Sequence, residues 1–267
     1  MCAAMQTDAM EESPPEVRAG RGDRALAAAR DRGAREFWWR RDRGNAMWLA
    51  IGVFLFNIAL MPCTFLTGDP YMWREEARSI LRSGSLAVDT NFALQADEPG
   101  QYFVRNEKNG RWYSKYGVMN SIMALPPTAA EWVRFGRIPR GGVDSSIVIF
   151  NMYNALLAAV TAIVLYQISR WYTDRLWLRS AYVLACLYGG FLWFYQRAQA
   201  GEIYQVLFFA TGFWLLMSWV RRFLLDDNVD RRSAGVGLLL GAWGVFGALV
   251  LTRIVFVVLL PIVPLAV

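Results

Sequence analysis

The sequence contains no histidine, so its chemistry must come from carboxylates, cations and tyrosines. That excludes Ser-His-Asp and Cys-His catalysis, histidine metal sites and histidine pH sensing. Asp69 stands first among the remaining acids, directly after a long apolar run and directly before Pro70. Aspartate followed by proline at the first helical position is a standard helix start, so the residue types alone make Asp69 an N-cap. Arg74, Arg78, Lys115, Arg197 and Arg253 sit near the ends of apolar runs, where a guanidinium or ammonium suits an anion such as phosphate. Arg253 interrupts two apolar runs, and an isolated charge there is costly unless it is paired, hydrated or functional. Glu202 and Arg197 fall in one short loop, where they can position a substrate or a divalent cation, or form a surface ion pair worth little. Tyr113, Lys115 and Tyr116 can line a cavity, although aromatic packing in a hairpin explains the tyrosines equally well.

These residues must be positioned by the stretch 67–127 and by the apolar runs around it. Trp73, Ala77, Ile80 and Leu81 recur at helical spacing with Arg74, Glu75, Arg78 and Arg82 between them, which predicts an amphipathic helix ended by Gly84. Glu75 and Glu76 read as solvated residues of that helix. Further on, YFVRN and RWYSKY are alternating aromatic runs separated by a stretch ending in Asn109-Gly110, which predicts a β-hairpin. Helix and hairpin together make a small folded cap on the membrane part.

The 267 residues are 55% hydrophobic, with long runs almost free of charge, so the chain is expected to be an all-α polytopic membrane protein. Expected spans are 47–66, 146–169, 180–195, 203–220, 235–251 and 254–267, set against a hydrocarbon core of about 30 Å. The last run stops at about two-thirds of a span, which reads as the N-terminal part of a longer protein. Residues 1–45 form an Arg-rich tail, expected to be disordered or loosely helical, with no cleavable signal character. The cluster Arg40, Arg41 and Arg43 places the N-terminus in the cytoplasm and the loop 67–144 on the external or periplasmic side of the plasma (inner) membrane. Gly237-x-x-x-Gly241 offers a close-packing helix face. Cys2, Cys63 and Cys186 are scattered, without disulfide or metal spacing. The net charge of +6 comes largely from arginine at membrane edges, and no nucleic-acid module is present in the pattern.

Four segments in this order resemble the GT-C membrane glycosyltransferases, in particular the protein O-mannosyltransferase and aminoarabinose-transferase-like group that takes sugars from polyprenyl phosphates. They are GDPYMWREEARSILRSGSL, WYSKYGVMNSIMALPP, QAGEIYQ and GALVLTRIVFVVLLP. The resemblance covers most of residues 47–267. It implies a GT-C-like helical bundle whose external loop folds over the lipid-carrier site, and it makes Asp69, by position, the catalytic base. Two departures stand out: the family commonly shows Asp-Glu where this chain has Asp69-Pro70, and family members have further spans.

Transfer from a lipid phosphate requires a base for the acceptor proton and cations for the leaving phosphate. The resemblance therefore implies Asp69 as base, with Arg74, Lys115, Tyr116, Arg197, Glu202 and Arg253 as substrate-binding residues. The partners it implies are a polyprenyl-phosphate-linked sugar, a hydroxyl acceptor on a protein, lipid or glycan, and membrane lipids. No cofactor follows with certainty; a divalent cation positioned by Glu202 is the one candidate. The competing expectation is a non-enzymatic membrane protein, such as a transporter or an envelope-assembly subunit. A transporter would carry ionisable or broken-helix signals at mid-span, and the sequence of spans two to four shows none.

Overall fold

The computed structural model describes residues 42–62, 69–94, 102–136, 144–198, 201–224 and 230–261. The chain divides into two compact units, Met1–Gly44 and Asn45–Val267. The first is described only at 42–44, so the expected tail lies almost wholly outside the described residues. Helix α1 runs over 42–59. It is followed by α2 (Asp69–Ser83), α3 (Thr90–Leu94), strands β1 (Phe103–Arg105) and β2 (Trp112–Ser114), α4 (Val118–Met123) and α5 (Leu125–Phe135). The larger helices are α6 (Asp144–Ser169), α7 (Leu176–Tyr188), α8 (Leu192–Ala198), α9 (Glu202–Leu224) and α10 (Asp230–Thr252), before a 3₁₀ turn at Ile254–Leu259.

The cap elements form where the sequence places them. Asp69 and Pro70 open α2, and Gly84 follows its last residue with φ +66°, a left-handed conformation that glycine adopts without a Cβ penalty. β1 and β2 pair antiparallel with Phe103 opposite Ser114 and Arg105 opposite Trp112. In the turn between them, Asn106 Oδ1 accepts the Lys108 N–H and Asn109 Oδ1 accepts the Arg111 N–H, both at 2.9 Å. These local Asx bonds and Gly110 at φ +68° close the hairpin.

The described residues are mostly helical, and three helices are long and apolar enough to cross a membrane: Ile147–Ser169, Glu202–Arg221 and Gly235–Thr252. They match three of the expected spans. The expected span at 180–195 is not one helix. α7 ends at Tyr188, where the Gly189 N–H bonds the Ala185 carbonyl at 2.9 Å, and α8 begins only at Leu192. Its 13 residues give roughly 20 Å of rise, short of a bilayer core. The expected span at 47–66 is helical to residue 59, its first turn contains Asp42, Arg43 and Asn45, and residues 63–68 lie outside the described residues. The run at 254–267 starts as a tight 3₁₀ turn, and 262–267 are likewise outside.

One apolar core runs from the cap into the bundle, joining Trp73 and Ala77 of α2 and Phe103 of β1 to Phe150 and Tyr166 of α6 and Ile203 of α9. The cap and the helices beneath it therefore share a core. A second cluster joins α9 to α10 through Leu216, Trp219, Phe246 and Leu249. Close packing of this pair is tightest at Gly212, where a Cβ would stand 2.9 Å from the Phe246 ring; of the expected glycine face, a Cβ at Gly241 would stand 3.4 Å from Leu215 and one at Gly237 would meet nothing within 4 Å. Small residues at such a crossing let helix backbones approach.

Candidate functional site

The end of α10, the start of α9 and the segment after β2 meet at one place. Gly117 makes this possible, because a Cβ there would lie 2.1 Å from the Leu251 carbonyl oxygen. Gly201 does the same beside α9, where a Cβ would lie 3.0 Å from the Trp73 ring and 3.1 Å from Asn120 Oδ1. The Asn120 amide in turn points at the Thr252 carbonyl, 3.5 Å away, a long contact. Tyr116 and Tyr204 flank Trp73, with ring centroids 6.0 and 5.9 Å from it. Trp73 Nε1 and Asn120 Oδ1 are buried here without a hydrogen-bond partner.

A cavity of about 540 Å³ opens at this junction. Lys115, Tyr116, Thr252 and Arg253 supply its polar wall, and Val250, Leu251, Ile254 and Val255 its apolar wall. Arg253 leaves α10 in extended backbone, and its Nη2 donates to Glu202 Oε1 at 2.8 Å. The Arg253 side chain stays about half exposed, so the ion pair holds the guanidinium in place without burying it. Four of the expected site residues, Lys115, Tyr116, Glu202 and Arg253, are thus neighbours. The partner of Glu202 is Arg253 and not the nearer-in-sequence Arg197, whose guanidinium lies over the Trp193 ring at 5.6 Å.

Asp69 opens α2 one turn before Trp73, and its side chain lies outside the described residues. Arg74 goes elsewhere. It is 2% exposed, its Nε donates to Glu131 Oε2 at 3.3 Å and its Nη2 stands 2.9 Å from Oε1. Arg78 stands 3.7 Å from the same carboxylate and pairs with Glu75 one turn back. Burial pushes the Glu131 carboxyl above its ordinary range against the pull of Arg74 and Arg78, and pushes the Arg74 guanidinium below its own.

Glu76 corrects the expectation of a solvated residue. It is 4% exposed, accepts the Ser114 N–H at 3.1 Å and the Ser121 hydroxyl, and burial raises its carboxyl above the usual range. The residues missed by sequence reasoning, Glu131 and Ser121, carried a faint signal: a lone glutamate in LPPTAAEWVRF and the Asn120-Ser121 pair inside the otherwise apolar VMNSIM. Among the described residues no three His, Cys, Asp or Glu side chains gather as a metal site.

The arrangement can bind an amphiphile whose anionic group meets Lys115 and Arg253 while its apolar part lies along the end of α10. No family model, no curated protein and no solved structure matches the chain.

Proposed function

We propose that the chain is a GT-C-like membrane glycosyltransferase that moves a sugar from a polyprenyl-phosphate donor to a hydroxyl of a protein, lipid or glycan. The observation that carries the proposal is the mostly apolar cavity at the C-terminal end of α10, with Lys115 and Arg253 on one wall. A lipid phosphate needs both walls at once, a cation for its charge and hydrocarbon-compatible surface for its chain. In this reading Asp69 takes the proton of the acceptor hydroxyl, and that oxygen attacks the anomeric carbon. The bond from the sugar to the phosphate oxygen breaks as the new one forms. The lipid phosphate leaves with the bonding electrons, and Arg253 and Lys115 offset its charge. Direct displacement of this kind inverts the anomeric centre. Glu202 positions Arg253.

The test is transfer by purified full-length protein from a defined polyprenyl-phosphate sugar. Arg253→Ala is expected to lower kcat/KM for donor by on the order of 10- to 100-fold, the scale of one lost charge-assisted contact. Arg253→Lys keeps the charge, loses the planar fork and should recover part of it. Donor use equal to the parent's in Arg253→Ala would remove the residue from the site.

The proposal also requires the hairpin to face the side where acceptor is modified, outside the cytoplasm. Asn109, exposed in the hairpin turn, supplies the check. A cysteine there is expected to react with a membrane-impermeant maleimide on intact cells. Labelling only after lysis would invert the proposed topology.

The break between α7 and α8 favours a second reading, a transporter, because interrupted apolar helices line substrate paths in such proteins. Substrate-dependent flux in proteoliposomes, without sugar transfer, would select it.

A further inference from the structure

We infer that α5 lies in the membrane interface with its exposed face among lipids, and that the groove beside it holds a hydrocarbon chain of a bilayer lipid. The helix is inside out by the standard of a water-facing surface helix. It buries Thr128 and Glu131, both 0% exposed, and turns outward Trp132, 45% exposed, and Val133, 88% exposed. The preceding short helix repeats the arrangement, burying Asn120 and Ser121 while Ile122 is exposed. Water would reward the reverse orientation, since an exposed valine or tryptophan contributes nothing and a buried carboxylate must be paired. A hydrocarbon surround rewards this one. Glu131, the one carboxylate of α5, is hidden against Arg74 on the inner side.

Position supports the same conclusion. α5 packs along the first turns of α6, and the groove between them, about 360 Å³, also reaches α1. Its walls include Phe54, Pro126, Ala130, Met152, Tyr153 and Leu156, of which only Tyr153 carries a side-chain oxygen or nitrogen. Met152 and Leu156 are about half exposed and belong to Ile147–Ser169, a helix long and apolar enough to cross a membrane. The groove therefore opens on the outer surface of a spanning helix, where lipid tails are the ordinary solvent. Headgroup chemistry follows from charge: Arg134 is exposed at the end of α5, and Arg137 and Arg140 come next in the sequence, so anionic lipid is favoured over neutral. Trp132 and Arg134 are both exposed near the end of α5, and tryptophan and arginine are both residues that anchor helices at membrane interfaces.

Two measurements test this without reference to sugar transfer. A nitroxide placed at Val133→Cys, with Cys2, Cys63 and Cys186 replaced by alanine, is reconstituted in phosphatidylcholine–phosphatidylglycerol nanodiscs. Collision with oxygen and with a water-soluble nickel chelate is then compared with Leu156→Cys and Asn109→Cys. The expected result is an oxygen-to-nickel ratio near that of Leu156→Cys and several-fold above that of Asn109→Cys. A ratio like that of Asn109→Cys overturns the inference, as does protection from both reagents, which would mean that protein, such as a second copy of the chain, covers the face. As a measurement that needs no substitution in α5, the unsubstituted protein is also irradiated in phosphatidylglycerol bearing a diazirine in its acyl chain. Adducts in the peptide containing Pro126 and Ala130 are expected. Adducts on α6 but none on α5 would place the groove outside the bilayer.

Discussion

Asp69→Asn is expected to fold as the parent does and to lose sugar transfer by about 10²- to 10⁴-fold, the usual contribution of a positioned general base. Asparagine is about as good an N-cap as aspartate, so the start of α2 at Asp69 and Pro70 survives the substitution. It cannot take a proton from an acceptor hydroxyl at neutral pH. Asp69→Ala would remove both the cap and the base and would separate nothing. Transfer is therefore compared between parent and Asp69→Asn at equal folded protein, with folding checked by thermal unfolding in detergent. Equal rates would leave Asp69 a cap and remove the proposed base. The expected deficit is also distinguishable from a loss at Arg253, which raises KM for donor as well as slowing departure of the phosphate, whereas loss of the base lowers kcat and leaves KM for donor near the parent's.

The parts of the fold that were legible in the sequence are those written in neighbouring residues. Asp69-Pro70 and Gly84 bound α2, Asn109-Gly110 turns the hairpin, and three apolar runs become helices of spanning length. Each is a local signal, settled by backbone freedom, capping or hydropathy within a few residues. Burial of charge was not legible. Arg74, Glu76 and Arg78 look like the polar face of an amphipathic helix, yet α2 is surrounded, and what accepts them is Glu131 and the Ser114–Ser121 region, far along the chain. No periodicity carries such a pairing. The break after Tyr188 was hidden for a different reason: the composition of 180–195 is that of a span, and Gly189-Gly190 within it decides the matter by ending α7. The cavity was legible only in part. Arg253 stood out as a charge between apolar runs, but its pairing with Glu202 depends on Gly117 and Gly201 letting three segments approach.

Glu131→Ala is expected to be the most destabilising single change in the cap, by about 3–5 kcal/mol, the cost of removing one partner from a buried ion pair. The carboxylate is wholly buried, and Arg74 and Arg78 are each 2% exposed, so truncation strands the Arg74 guanidinium out of reach of water and leaves Arg78 with Glu75 alone. Glu131→Gln keeps an oxygen that can accept from Arg74 Nε and should cost less, which separates the loss of charge from the loss of volume. Replacing Glu131 and Arg74 together by methionine removes a charge of each sign. If stranded charge is the cause, the double variant should be more stable than Glu131→Ala despite carrying more substitutions. Unfolding midpoints in detergent, measured at one pH for all four proteins, decide this. A loss below about 1 kcal/mol in Glu131→Ala would mean that solvent reaches the arginines, as it does in exposed pairs. Because this cluster is separate from the cavity at Arg253, the fraction of Glu131→Ala that remains folded at low temperature should use donor as the parent does. A large defect in that fraction would show that the contact between α2 and α5 also sets the geometry of the site.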